Sequence, residues 1–415
     1  MLTALPPTLA LIQQELIFQM TLGSVLMAAQ GCSPEAGQAY DRARELCQQS
    51  GATAQLSPVL HGLWGFYNVR GEYRTAYALA EQLLSLAESQ PDDTPGLIAA
   101  HFALGNSAFL LGELTVSRAH WGQSVALYNL QEHRSLAFVY GLDLGVTSRS
   151  GTALTLWQLG YPDQALTRMQ AAVSLAQEVA HPGSLAYAFM CAAWSHLLRR
   201  EAQQAQEQAE AAMALSTEHG MPIFFAMSTI YRGWALAQHG QGAAGLTHVR
   251  QGLATFRAMG AEMFAPFYLA LLAEASANVG QVEEGLTCIA EALATAKNTA
   301  EGYWEAERYR LQGQLTLQKL SVTDPQGEAE ACFLQAIASA RTQQAKSLEL
   351  RAVMSLVRLR QQQASAEGSH TVQQEARVRL AEAHRMFSDV YNWFTEGFDT
   401  KDLQEAHALL ASLAQ

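Results

Sequence analysis

The strings "QLGYPDQAL" (158–166), "QHGQGAAGL" (238–246) and "NVGQVEEGL" (278–286) repeat one small pattern at intervals of eighty and forty residues. In the slot between them, "LRREAQQAQ" (198–206) keeps Ala205 in the matching place. Gly160, Gly240 and Gly280 each end a helix, because left-handed backbone is cheap only without a β-carbon. Five residues further on, Ala165, Ala205, Gly245 and Gly285 let the next helix approach its antiparallel partner closely. Met169 with Ala172, Val249 with Gly252, and Ile289 with Ala292 extend that contact. Ala153, Gly233 and Ala273 stand seven residues before the glycines. One such helix pair cannot bury its apolar faces alone, so the whole array must stack as one solenoid.

Between these joints the chain is helical almost throughout. Ala, Leu, Gln and Glu dominate, and apolar residues recur at three- and four-residue spacing. Pro and Gly gather at the joints. The expected organisation is a single domain, 1–415, of helix pairs beginning near 8, 53, 94, 145, 181, 221, 261, 301 and 346, with a closing helix over 402–414. One segment, "LQEHRSLAFVYGLDL" (130–144), breaks the beat. Arg134, Tyr140 and Asp143 are its candidate functional residues. Its apolar content predicts that it folds back near the groove with Phe138 and Tyr140 shielded.

The spacing resembles the tetratricopeptide repeat, with Leu-Gly on the first helix and small–x3–aromatic on the second. "ALGNSAFLLG" (103–112) followed by Trp121 is a clear copy; Ala329, Phe333 and Ala336 form another. The resemblance implies an all-α, right-handed superhelical solenoid of about nine helix pairs. The strings "HRSLAFVYGLDLGV" (133–146), "QQAKSLELRAVMSLVRLRQQQ" (343–363) and "WFTEGFDTKDLQEAHALL" (393–410) look like the C-terminal tetratricopeptide region of bacterial STAND-type signalling ATPases and adenylate cyclase-like regulators. Neither an ATPase nor an effector motif occurs in this chain.

Catalytic signatures are also missing. No Lys follows a Gly, which removes the phosphate loop. "GQGAAG" (240–245) matches the dinucleotide fingerprint in letters, but a helical segment precedes it where a strand is required. The twelve His include no HExxH and no pair at three- or four-residue spacing, so no metal site is expected. No enzyme activity and no cofactor are expected. With 38 acidic and 26 basic residues, a net charge of -12 and no basic run beyond Arg199–Arg200, nucleic acid is an unsuitable partner. The apolar run 16–29 is short for a membrane span and holds Gln19. Five scattered Cys point to a reducing, cytoplasmic setting.

Binding is the remaining role. In tetratricopeptide arrays the first helix of each pair lines the concave wall. By that resemblance the groove residues are Phe102, Asn106, Phe109, Trp157, Tyr187, Trp194, Trp234, Phe267, Glu307, Arg310 and Gln314, with His61, Asn68, Met190, Met227, Gln238 and Glu274 beside them. The wall is aromatic in its middle and polar toward its C-terminal end. The leading expectation is a protein or peptide partner, or an adjacent ATPase or effector domain, held in an open groove. The alternative is a small-molecule inducer, for which an enclosed pocket at the tryptophans is the discriminating feature.

Overall fold

Every twentieth residue from 160 to 300 takes the left-handed backbone: Gly160, Ala180, Arg200, Gly220, Gly240, Gly260, Gly280 and Ala300, with φ between 56° and 92°. Each follows a helix and turns the chain back. The computed structural model describes residues 8–51, 53–319, 323–365 and 369–413. Among them the helices form nine antiparallel pairs. These are Leu9–Gln30 with Pro34–Ser50, Thr53–Val69 with Tyr73–Glu88, Thr94–Leu111 with Leu114–Leu127, and Leu144–Gln158 with Pro162–Val179. Then come Pro182–Arg199 with Ala202–Glu218, Pro222–Gln238 with Gly242–Ala258, and Ala265–Asn278 with Val282–Thr299. Glu305–Gln318 with Pro325–Gln343 and Lys346–Ser365 with His370–Trp393 complete the pairs, and Lys401–Leu413 closes the stack. Residue 414 of the expected closing helix lies outside the described residues.

The small residues do what their spacing requires. A Cβ on Gly233 would meet the Gly245 carbonyl and Val249 at 2.8 Å, so only glycine permits that crossing. Ala165, Ala172, Ala205, Ala212 and Ala292 have no exposed surface. Trp121 fills the space between Gly105 and Gly151, where a Cβ on either glycine would strike its ring.

The pairs coil so tightly that the second half of the superhelix touches the first. The C-terminal carbonyls of first helices lack partners within their own helix. Here donors from four or five pairs further along satisfy several of them. Val69 accepts from Glu262 and Met263 at 2.9 and 3.0 Å, and Leu110 accepts from Gly302 at 2.8 Å. The Trp157 carbonyl accepts the Ser347 hydroxyl at 2.6 Å, and Leu198 accepts from Arg351 at 2.7 Å. This seam also buries charge. Arg308 pairs with Glu301 at 3.1 Å, Tyr73 donates to the other Glu301 oxygen at 3.1 Å, and the pair is 1% and 0% exposed.

Segment 130–144 is not an irregular loop. It runs as short helical turns, Leu130–His133, Arg134–Leu136 and Ala137–Tyr140. Asp143 caps the following helix, accepting from the Val146 amide at 2.9 Å and the Tyr128 hydroxyl at 2.6 Å. The expectation that Phe138 is shielded is overturned: it is 83% exposed. The segment turns only one face inward, and four residues of helix cannot bury both Phe138 and Tyr140.

Two described helices, Leu9–Gln30 and Thr94–Leu111, are long and apolar enough to cross a membrane. The first is longer than the run 16–29 because it starts earlier, capped by Thr8. Thr94–Leu111 is a core helix, whereas Leu9–Gln30 buries only Leu16 and Gly23.

Candidate functional site

The closed seam divides the concave space. Phe109 stacks on Tyr303 at 4.9 Å; Trp194 meets Phe264 at 4.9 Å and Phe267 at 5.5 Å; Phe267 meets Trp304 at 5.1 Å. These rings form a partition across the interior, contributed by both halves of the superhelix. On either side of it lies a cavity, so no continuous groove runs along the inner wall among the described residues.

The N-terminal cavity is an apolar chamber of about 410 Å³. On the same measure a single water needs about 15 Å³, so the chamber has room for a multi-ring ligand. Thr53–Val69 supplies His61, Trp64 and Asn68; Thr94–Leu111 supplies Phe102, Asn106 and Phe109. Pro182–Arg199 contributes Tyr187, Met190, Cys191 and Trp194, and Tyr140 reaches in from the inserted segment. Tyr140 sets its ring edge-on to His61 at 4.8 Å, and Phe102 packs on Trp64 at 5.2 Å. First helices supply these side chains because their inward face is the one not used against the second helix of the same pair.

Five polar atoms of residues in this lining have no hydrogen-bond partner: His61 Nε2, Asn68 Oδ1, Asn106 Oδ1 and the indole nitrogens of Trp121 and Trp194. His61 is 9% exposed, and burial lowers its pKa to about 4, so its ring is neutral at neutral pH. Burial likewise pushes the Cys191 thiol up to about 12, which leaves it unreactive as a nucleophile. A buried polar atom without a partner costs about 1–3 kcal/mol, and several around one chamber call for an external group.

The C-terminal cavity is smaller, about 170 Å³, and charged. Glu307, Arg310 and Gln314 line it, with Trp234, Gln238, Glu274 and Trp304. Arg310 binds Glu307 through two nitrogens, at 2.8 and 2.6 Å. Arg351 joins Asp402 at 2.8 Å, and Arg200 reaches Asp402 at 3.2 Å and Glu405 at 3.0 Å.

The eleven groove positions are thus dispersed. Phe102, Asn106, Phe109, Tyr187 and Trp194 come together in the chamber. Trp234, Glu307, Arg310 and Gln314 come together in the charged cavity. Phe267 is buried inside the partition, and Trp157 lies beneath Arg351 at 4.9 Å and beside Trp304; both line neither cavity. Tyr140 joins the chamber, Asp143 serves as a cap, and Arg134 is exposed. Arg351, Arg358, Asp402 and Glu405 were not foreseen, although Arg351 and Arg358 stand seven residues apart and therefore share a helix face.

No protein-family model matches this chain, and no curated protein matches it by sequence. Similar solved structures include a Rap protein complexed with competence and sporulation factor, 11% identical over 89% of this chain and 99% of that one, TM-score 0.49. An IFIT1 monomeric mutant with Gppp-AAAA is 15% identical over 91% of this chain and 77% of that one, TM-score 0.48. A STAND protein with a tetratricopeptide repeat sensor from Pyrococcus horikoshii is 12% identical over 87% of this chain and 53% of that one, TM-score 0.43. In the structure itself, antiparallel pairs closed by small residues stack one on the next into a superhelix. The fold is tetratricopeptide-like. Within it, the departure that matters is the partition, which turns a tetratricopeptide groove into two separate cavities.

Proposed function

We propose that this chain is a non-catalytic regulatory module whose chamber receives a compact, mainly apolar ligand carrying a hydrogen-bond donor. The observation that carries this reading is the convergence of His61 Nε2, Asn68 Oδ1 and Asn106 Oδ1, all unpartnered, on an aromatic-lined chamber. Aromatic and methionine surface binds the body of such a ligand, and a few placed polar groups fix its orientation. A long peptide lying along the wall is disfavoured, because Phe264, Tyr303 and Trp304 occupy the path it would take. The five free cysteines, four of them buried, suit a reducing compartment. In the bacterial signalling setting that the sequence resemblance implies, ligand occupancy would bear on a neighbouring ATPase or effector domain through the first helices that the two cavities share.

The test is a comparison of β-naphthol with naphthalene by equilibrium titration. The expected result is a preference of about tenfold for the hydroxylated probe, the worth of one good hydrogen bond. His61→Phe and Asn106→Leu should each reduce that preference while naphthalene binding persists. Equal affinity of the two probes for the unaltered chain would refute the role given to the polar trio.

A further inference from the structure

We infer that a cleft on the seam is a second binding site, for a phosphate monoester dianion. The cleft has a volume of about 440 Å³ and opens where the two halves of the superhelix meet. Arg118 and Tyr161 come from the first half; Arg341, Lys346 and Trp393 come from the second. Its lining holds these three cations and no carboxylate, in a chain whose net charge is -12. Outside the lining, the buried Glu349 takes Arg341 on one oxygen and Lys346 on the other, both at 2.7 Å. Three cations less that one carboxylate leave two positive charges. A phosphate monoester carries about -1.5 to -2 at neutral pH and matches them.

The hydrogen-bond donors of this cleft are also unspent. Arg341 reaches Glu349 through Nε, so its two terminal nitrogens have no acceptor among the described residues. The Arg118 side chain makes no hydrogen bond and no ion pair among them; its guanidinium lies over the Tyr161 ring at 5.3 Å. Lys346 Nζ likewise lies over the Trp393 ring at 5.9 Å, and the two rings meet edge to face at 5.3 Å. Each ring therefore holds one cation in place, which lowers the cost of ordering that side chain on a ligand. Thr115 adds a hydroxyl from the first turn of Leu114–Leu127, the end of a helix that favours negative charge. Arginine nitrogens form a fork that takes two phosphate oxygens at once. A single carboxylate would leave one positive charge unmatched, and a cation would find nothing to pair with.

The position of the cleft gives its occupancy a consequence. Lys346 is followed by Ser347, whose hydroxyl binds the Trp157 carbonyl across the seam at 2.6 Å. Beside the cleft, a Cβ on Gly160 would meet the Trp393 ring at 2.6 Å and the Lys346 Cβ at 2.8 Å, so the two halves are in close contact. A dianion held by Arg118 on one side and by Arg341 and Lys346 on the other braces that contact. Occupancy thereby stabilises the closed superhelix on which both cavities depend.

The experiment titrates phenyl phosphate into the full chain by calorimetry, with phenol and benzoate as controls. Saturable binding of phenyl phosphate is expected, with each control weaker by about tenfold or more. Arg118→Gln should weaken phenyl phosphate by a similar factor at a closely similar melting temperature, since Arg118 has no hydrogen-bonded partner to lose. Lys297→Gln removes one exposed positive charge elsewhere and should leave the affinity within about twofold. Phenyl phosphate should also raise the melting temperature of the unaltered chain more than that of Arg118→Gln at the same concentration. No binding of phenyl phosphate, equal binding of either control, binding that Arg118→Gln leaves intact, or an equal loss in Lys297→Gln would each overturn the proposal. A phosphotyrosine peptide that binds as tightly as phenyl phosphate would identify a modified protein as the source of the group. Rejection of that peptide beside binding of phenyl phosphate would identify a small phosphate ester.

Discussion

Ser347 donates its hydroxyl to the carbonyl of Trp157 at 2.6 Å, although 190 residues separate them. This bond and its counterparts at Val69, Leu110 and Leu198 close the superhelix on itself. Closure, in turn, makes cavities out of a groove.

The seam is open to a direct test at Gly302, where an added Cβ would press into the Leu111 carbonyl. Neither group can retreat, because Gly302 also donates to Leu110 at 2.8 Å. Gly302→Ala is expected to cost about 1–3 kcal/mol and to enlarge the radius of gyration in small-angle scattering. An unchanged melting temperature and radius would mean that the two halves do not pack as described.

Glu301 gives the seam a pH dependence. Burial pushes its pKa from 4.5 up to about 7, with Arg308 pulling the other way. The folded chain therefore holds this proton more tightly than the unfolded chain between those values. Its contribution to stability is fully present near pH 4.5 and declines as pH rises through about 7. In thermal melts the unaltered chain should lose stability relative to Glu301→Gln as pH rises from about 4.5 to about 7, and the offset should then level off. A gain in stability of the unaltered chain relative to Glu301→Gln over that interval would reverse the assignment.

Trp194 is 2% exposed and touches Phe109, Tyr231, Phe264, Phe267 and Tyr303. Trp194→Ala should cost roughly 3–5 kcal/mol of stability, as expected for a large buried ring. It should also join the two cavities, and binding in the chamber would then weaken. A melting temperature within the error of the unaltered chain would remove Trp194 from the partition.

Ala172 probes the register of the repeats. It is fully buried, and Ala172→Leu should overpack its surroundings at a cost of about 1–3 kcal/mol. A neutral effect on unfolding would contradict the helix pairing.

The pairing was legible because its cause is local and periodic. Gly160, Gly240 and Gly280 mark turns by their missing side chains, and Ala165, Ala205 and Gly245 mark the close approach that follows. Even the slot at Arg200, which lacks the glycine, takes the same left-handed turn. The partition was not legible, because the Trp157–Ser347 and Leu110–Gly302 contacts join repeats five apart and leave no trace in a forty-residue period. Phe264, Tyr303 and Trp304 sit at the starts of first helices, a place that reads as a joint between pairs, yet there they fill the centre. Phe138 misled for a different reason: its segment is short enough to bury only one side. The aromatic and polar character of the two ends of the wall could be seen in the sequence, but not that they are separate cavities.

The most direct test of the chamber as a ligand site is to fill it. Met190 lines it and is buried, and Met190→Trp would place a bulky ring in the open space. Titration of β-naphthol, followed by its own fluorescence, should show one saturable site in the unaltered chain. In Met190→Trp, at a closely similar melting temperature, affinity should fall by about tenfold or more. The same affinity in both proteins would contradict binding in the chamber.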